Sequence, residues 1–472
     1  MNQELKNDLL HIDDLLEAVK LQGLDFLDKL PNRPTTSKQI NISQENLNTQ
    51  GIGGLNALQS FNEKLEKIIN SSTGPRYWGF VTGGATPASI MGDWLAGIYD
   101  QNTQASSGQG DLSAIIELET INLLLDLFNL PKYFLGGFVS GATMSNFTCL
   151  AVARQWFGKQ FGFDFAKEGV TKKIKILAAT PHSSTIKSLS MLGIGSNTIE
   201  KLKIMRGNRE SIDIDYLKQK ITELNGEPFI LVTSGGTVNT VDFDDFEAIA
   251  KLKNEHNFWW HIDAAFGAFA ACSPKYQHLL KGWEHADSIT VDCHKWLNVP
   301  YENAFFLVKE EHKMLQTETF QNSNAPYLGN PLDNFSYLNF LPENSRRLKA
   351  LPVWFSLKAY GKKGYREIVE NAVETANYFG LFIENSEHFE LLAPVRLNTV
   401  CFTLTGEENQ SKVNDFLTGL NDTGKVFMTP TVYNEKKGIR AAFVNWRTTK
   451  LDIDIAIEEM TKLIVKKHIN TN

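Results

Sequence analysis

The sequence is poor in what several large function classes need. Four cysteines are scattered over 472 residues (Cys149, Cys272, Cys293 and Cys401), and none stands at the spacing of a metal-ligand pair. That argues against a disulfide scaffold or a zinc centre, and a reducing cytoplasm fits best. No metal is expected. Long basic runs are also missing: 47 Lys and Arg stand against 54 Asp and Glu, a formal net charge of −7. Nucleic acids and anionic membranes are held by clustered cations, so neither is an expected partner. No stretch reaches the roughly 18 consecutive apolar residues that cross a bilayer. The opening "MNQELKNDLLHIDDLLEAVK" is acidic and amphipathic, unlike the basic-then-apolar pattern of a secretory signal.

What is present is ordinary globular material, 42% hydrophobic and 21% charged, in a chain too long for one core. Residues 1–30 carry leucines at helical spacing, and "SAIIELETINLLLDLFNL" (113–130) is a long apolar helix stopped by Pro131. Short apolar runs then alternate with helical stretches: 173–180, 228–236, 257–266, 287–293 and 303–309. Runs apolar on both faces and separated by helices imply a mostly parallel sheet covered by helices, an α/β fold. The last two runs lack room for a helix between them, so one antiparallel pairing is expected. The texture divides the chain into an N-terminal helical segment with a Gly-rich loop (1–95), a large α/β domain (96–360) and a small α+β domain (361–472).

Chemistry concentrates at the ends of the apolar runs. Asp263 closes "FWWHID", and a carboxylate there is costly to bury unless paired. Alone it reads as a helix cap or a loop salt bridge. Lys295, in "VDCHKW", alone reads as a surface lysine. Carboxylate and amine at two strand ends of one sheet converge on one crevice, and pyridoxal phosphate requires that pair. "GGFVSGATMSNF" runs from a Gly/Ser turn into a helix, where backbone N–H groups favour an anion. His182 follows the run 173–180, and Thr237 lies in the strand-end loop "TSGGTVNTVDF".

The ordered set "SGATMSN", "PHSS", "HIDAAFGA" and "ADSITVDCHKWLNVPY" resembles the group II pyridoxal-phosphate-dependent amino acid decarboxylases, over about residues 70 to 365. The resemblance implies the PLP-dependent transferase fold (type I aminotransferase-like), pyridoxal 5'-phosphate as cofactor, and a homodimer with its active site near the dimer interface. It implies release of CO2 from an L-amino acid through a Lys295 Schiff base, giving an amine. Asp263 would pair with the pyridine nitrogen, Ala265 and His182 would cover the two ring faces, and Ala142 and Thr143 would hold the phosphate. His294 would lie beside the Schiff base and Thr237 near the cofactor. Thr82 and Gly83, in "FVTGGATP", would receive the substrate carboxylate. Tyr327, in "NSNAPYLGNPLDNFSY", or His182 would return the proton to Cα, with Tyr337 a second tyrosine to consider. An aldehyde synthase or an aminotransferase would use the same cofactor shell, and a catalytically silent scaffold or binding subunit is a further alternative, which the intact Asp263/Lys295 pair counts against. Tyr77, Trp78 and Phe80 suggest an apolar or aromatic substrate side chain, although the family also takes acidic ones.

One residue departs from the aromatic-specific pattern. Asp292 stands where those enzymes tend to have an Asn that helps with the phosphate. A carboxylate facing a phosphate dianion is repelled, so it must point away, be protonated, or pair with a base.

Overall fold

"FWWHID" is buried along its whole length, and its alternate residues enter two different cores. Phe258, Trp260 and Ile262 pack in one core, Trp259 in the other. Such a strand belongs inside a sheet wrapped on both faces. The computed structural model describes residues 1–37, 41–42, 44–108, 110–321 and 335–469. In it, this run is the central strand of seven: β1 (Phe134–Val139), β2 (Ile176–Ala178), β3 (Ile199–Lys201), β4 (Phe229–Ser234), β5 (Phe258–Asp263), β6 (Ser288–Asp292) and β7 (Ala304–Lys309). Their spatial order is β1-β7-β6-β5-β4-β2-β3.

Neighbours from β6 to β3 run parallel, while β7 runs antiparallel to both β6 and β1. The sheet thus has two antiparallel pairings, not the single one expected. The second arises from β1, whose Gly136 and Gly137 make it resemble a turn in sequence. Those glycines permit close packing: a Cβ on Gly136 would lie 2.6 Å from the Phe306 carbonyl oxygen.

Register then fixes the site. Val139 and Asp292 both face Ala304 across β7, so the ends of β1 and β6 are level. Ser234 faces Asp263 in the same way. Four strands therefore finish along one edge, where α/β sheets hold their ligands.

Helices α1 (Gln3–Leu10), α2 (Ile12–Lys29) and α3 (Gly54–Lys64) bury none of their residues. Next come α4 (Pro87–Tyr99), α5 (Ala114–Leu127) and α6 (Ala142–Lys159), the last mostly buried against the sheet. A long helix, Ala350–Glu384, kinked at Gly361, leads to a second sheet. That sheet is antiparallel, with β8 (Phe389–Leu391), β9 (Thr399–Leu404), β10 (Thr429–Tyr433) and β11 (Lys436–Ala442) in the order β10-β11-β9-β8. Its own core includes Phe379, Phe402, Phe416 and Met428. Among the described residues, no helix is long and apolar enough to cross a membrane.

Candidate active site

The level strand ends border a cavity of about 660 Å³, which Arg440 from β11 also lines. Lys295 enters it from the turn after β6, with Nζ 2.7 Å from Oδ2 of Asp292. Oδ1 of Asp292 accepts the Ala142 N–H at 2.6 Å, at the start of α6. Asp292 therefore pairs with a base, one of the three outcomes open to it. His294 stacks on Tyr301 at 4.3 Å, and its Nδ1 accepts the Asn303 N–H at 3.2 Å. Burial lowers the His294 pKa and favours the neutral ring.

Asp263 is held from two sides. Oδ1 accepts the Ala265 N–H at 3.2 Å, and Oδ2 accepts Nδ2 of Asn146 at 2.9 Å. An ionised carboxylate only accepts, so this contact fixes which end of the Asn146 amide points to it. Asn146 Oδ1 then takes the proton on His261 Nε2 at 2.8 Å, and its Nδ2 also reaches Ser184 Oγ at 3.1 Å. Burial depresses the His261 pKa to about 4. Ser184 in turn lies 2.7 Å from His182 Nδ1, which also accepts the Ser184 N–H at 3.2 Å. Since Nδ1 accepts, the neutral His182 ring carries its proton on Nε2. Burial is the leading cause that lowers the His182 pKa.

Ala142 and Thr143 line the cavity at the start of α6, as do Ala265 and Thr237. The Thr237 hydroxyl is already engaged, donating to Glu210 Oε2 at 2.5 Å beside Thr240 at 2.6 Å. From the loop before α4, Phe80 and Val81 face the cavity. Both hold positive φ (56° and 59°), strained values for a bulky and a β-branched residue. Thr82 is buried and bonds towards Tyr301. Gly83 is pressed against the Lys295 backbone, where a Cβ would fall 1.9 Å from the carbonyl oxygen. Tyr327 lies outside the described residues. Tyr337 is buried in the core, its hydroxyl donating to the Gly136 carbonyl at 2.9 Å and its ring under Arg346. Arg346 itself pairs with buried Glu117 at 2.6 Å.

Three cavity or support residues carried no readable sequence signal: Asn146, Glu210 and Arg440. Arg440 is buried enough to lower its pKa, reaches Asn239 Oδ1 at 3.3 Å, and makes no ion pair among the described residues. The donor set fits pyridoxal 5'-phosphate: an amine, a buried carboxylate and a helix N-terminus meet on one cavity.

Comparison with known proteins agrees. The model of the pyridoxal-dependent decarboxylase conserved domain matches residues 37–405. The chain is 28% identical to an aromatic-L-amino-acid decarboxylase of Bacillus atrophaeus, across 94% of this chain and 92% of that one. It is 26% identical to a phenylacetaldehyde synthase of Petunia hybrida, across 81% and 79% respectively. A solved Oryza sativa TDC with PLP and tryptamine shares the fold, at TM-score 0.88 and 20% identity with 98% of each chain covered.

Proposed function

The chain belongs to the pyridoxal-dependent decarboxylase family, carboxy-lyases that release CO2 from an amino acid, and we propose that its substrate has an aromatic or apolar side chain. The observation that carries the site assignment is the meeting of Lys295, Asp263 and the α6 N-terminus on one cavity. The names of the relatives and the apolar rings of Phe80 and Phe266 at the cavity support the substrate class.

Bound cofactor supplies an electron sink for the bond broken at Cα. Lys295, held at the cavity by Asp292, would be the residue that carries it through Nζ. Asp263, fixed by Asn146 and the Ala265 N–H, would keep a proton on the pyridine nitrogen. Ala265 and His182 would flank the ring, His294 stands beside Lys295, and Thr143 with the first turn of α6 would receive the phosphate. Thr237 contributes its backbone and methyl group, since its hydroxyl serves Glu210. Arg440 draws in the substrate carboxylate, while Phe80 and Val81, with Thr82 and Gly83 behind them, give it an apolar wall. An apolar wall favours conversion of a carboxylate to neutral CO2. His182, with its proton on Nε2, or Tyr327 returns the proton to Cα.

A CO2-release panel across the amino acids, with added pyridoxal phosphate, tests this reading. Aromatic substrates should lead, and visible cofactor absorbance should vanish in Lys295→Ala. Fastest turnover of glutamate would refute the substrate class. Tyr327→Phe should divert product from amine towards aldehyde if Tyr327 is the donor, and unchanged products would remove it from the mechanism.

We also propose a cytoplasmic homodimer. The four cysteines are free. Helices α1 and α2 expose Leu5, Leu9, Leu16 and Leu24, and α2, α3 and α4 border an apolar groove that includes Phe26, Phe61 and Trp94. Apolar area of that kind marks an interface. Light scattering should give twice the chain mass, and a monomer would refute the dimer.

A further inference from the structure

We propose that Asp292 is a built-in anion of the cofactor site, which orients Lys295 for capture of the cofactor and at the same time limits the site's grip on phosphate. The proposal rests on assigning the phosphate to the first turn of α6. Two contacts and a burial carry it. Asp292 Oδ2 pairs with Lys295 Nζ at 2.7 Å, Oδ1 accepts the Ala142 N–H at 2.6 Å, and the side chain is almost wholly buried. The carboxylate thus takes one of the N–H groups that a phosphate on this turn would use, and it places a negative charge beside the remainder.

The cavity's charges sharpen the conflict. Asp263, Asp292 and Glu210 are its anions, and Lys295 and Arg440 its cations. His182 and His294 have their pKa values lowered by burial and add little positive charge at neutral pH. A phosphate dianion brings further negative charge into this set, at low dielectric. What Asp292 gives in return is direction. A lysine ends in a flexible stem, and a fixed carboxylate holds its ammonium at one point. On capture, Nζ bonds to the aldehyde carbon and the carbonyl oxygen leaves as water with two of the ammonium's three protons. The third stays on the nitrogen, which remains cationic beside Asp292.

Pyridoxine 5'-phosphate separates the two effects, because it has the phosphate but no aldehyde. The full-length chain, stripped of cofactor, is titrated with it, and the rate of pyridoxal phosphate capture is followed by absorbance. Asp292→Asn keeps an acceptor for the Ala142 N–H and removes the charge. It should bind pyridoxine 5'-phosphate tighter by roughly tenfold or more, the scale of one nearby like charge removed from a partly buried dianion. It should capture pyridoxal phosphate several-fold more slowly at saturating concentration. Asp292→Ser, a second neutral acceptor, should move both readouts the same way and covers the case in which the Asn variant folds poorly. Unchanged or weaker pyridoxine 5'-phosphate binding in the folded variants would overturn the proposal, as would unchanged capture. Thr143→Val tests the underlying assignment separately. It should weaken pyridoxine 5'-phosphate, and if it does not, the phosphate lies elsewhere whatever Asp292 does.

Discussion

Asn146→Ala is the sharpest test of how the chain holds its acidic centre. The Asn146 side chain makes three hydrogen bonds: to Asp263 Oδ2 at 2.9 Å, to Ser184 Oγ at 3.1 Å, and from His261 Nε2 at 2.8 Å. All four residues are buried. The bond to a carboxylate is worth about 1.5–3 kcal/mol and each neutral one about 0.5–1.5 kcal/mol. Their loss therefore costs about 4 kcal/mol, less whatever an entering water recovers. At roughly 2 °C per kcal/mol for a domain of this size, the melting temperature should fall by about 8 °C. Asp263 would also lose half of its support, so the variant should release cofactor faster in a dialysis assay read by absorbance. Asn146→Asp gives a second handle, since it sets two carboxylates at hydrogen-bonding distance. That variant should be more destabilised at pH 8, where both ionise, than at pH 5, where one can hold a proton. A melting temperature within about 1 °C of the unmodified chain, with equal cofactor retention, would refute the argument.

His261 should give stability a pH dependence that a comparison with His261→Gln isolates. Its folded pKa, about 4, is depressed below the ordinary 6.5, so the folded chain binds fewer protons between those values. The stabilisation is complete above pH 6.5 and is lost as the pH falls to about 4, a change of about 3 kcal/mol. Buried Asp244, raised to about 7, works in the opposite sense in the same range, so the chain's total stability should be flatter than the difference curve. A difference that does not vary with pH would exclude the depressed value. Arg440→Met should raise KM for the amino acid by about tenfold, with a smaller effect on kcat, if the guanidinium serves substrate entry. A change confined to kcat would place it in the chemistry instead. Gly83→Ala should lose cofactor absorbance and expression together, because its Cβ would collide with the Lys295 carbonyl. A fully active Gly83→Ala would show that the loop can yield.

Much of the centre is legible in sequence because its parts sit at the ends of strongly apolar strands. A carboxylate after "FWWHI" and a lysine just past "SITVD" are conspicuous where they stand. Parity adds to this: Trp259, His261 and Asp263 share one face of β5, so Asp263 meets α6. β1 escapes the same reading because its paired glycines look like a turn, although they serve close approach to β7. Asn146, Glu210 and Arg440 are invisible for a different reason. Each comes from a different segment, a buried helix, an irregular loop and a strand of the second sheet, and only folding brings them together. Asp292 lies between these cases. Sequence shows that its charge conflicts with a phosphate, and this requires a compensating partner without naming one. The level ends of β1 and β6 name two, because they set the carboxylate between the α6 N–H and Lys295. A carboxylate so placed makes the lysine and the phosphate turn one electrostatic unit, so neither can be altered without changing the other.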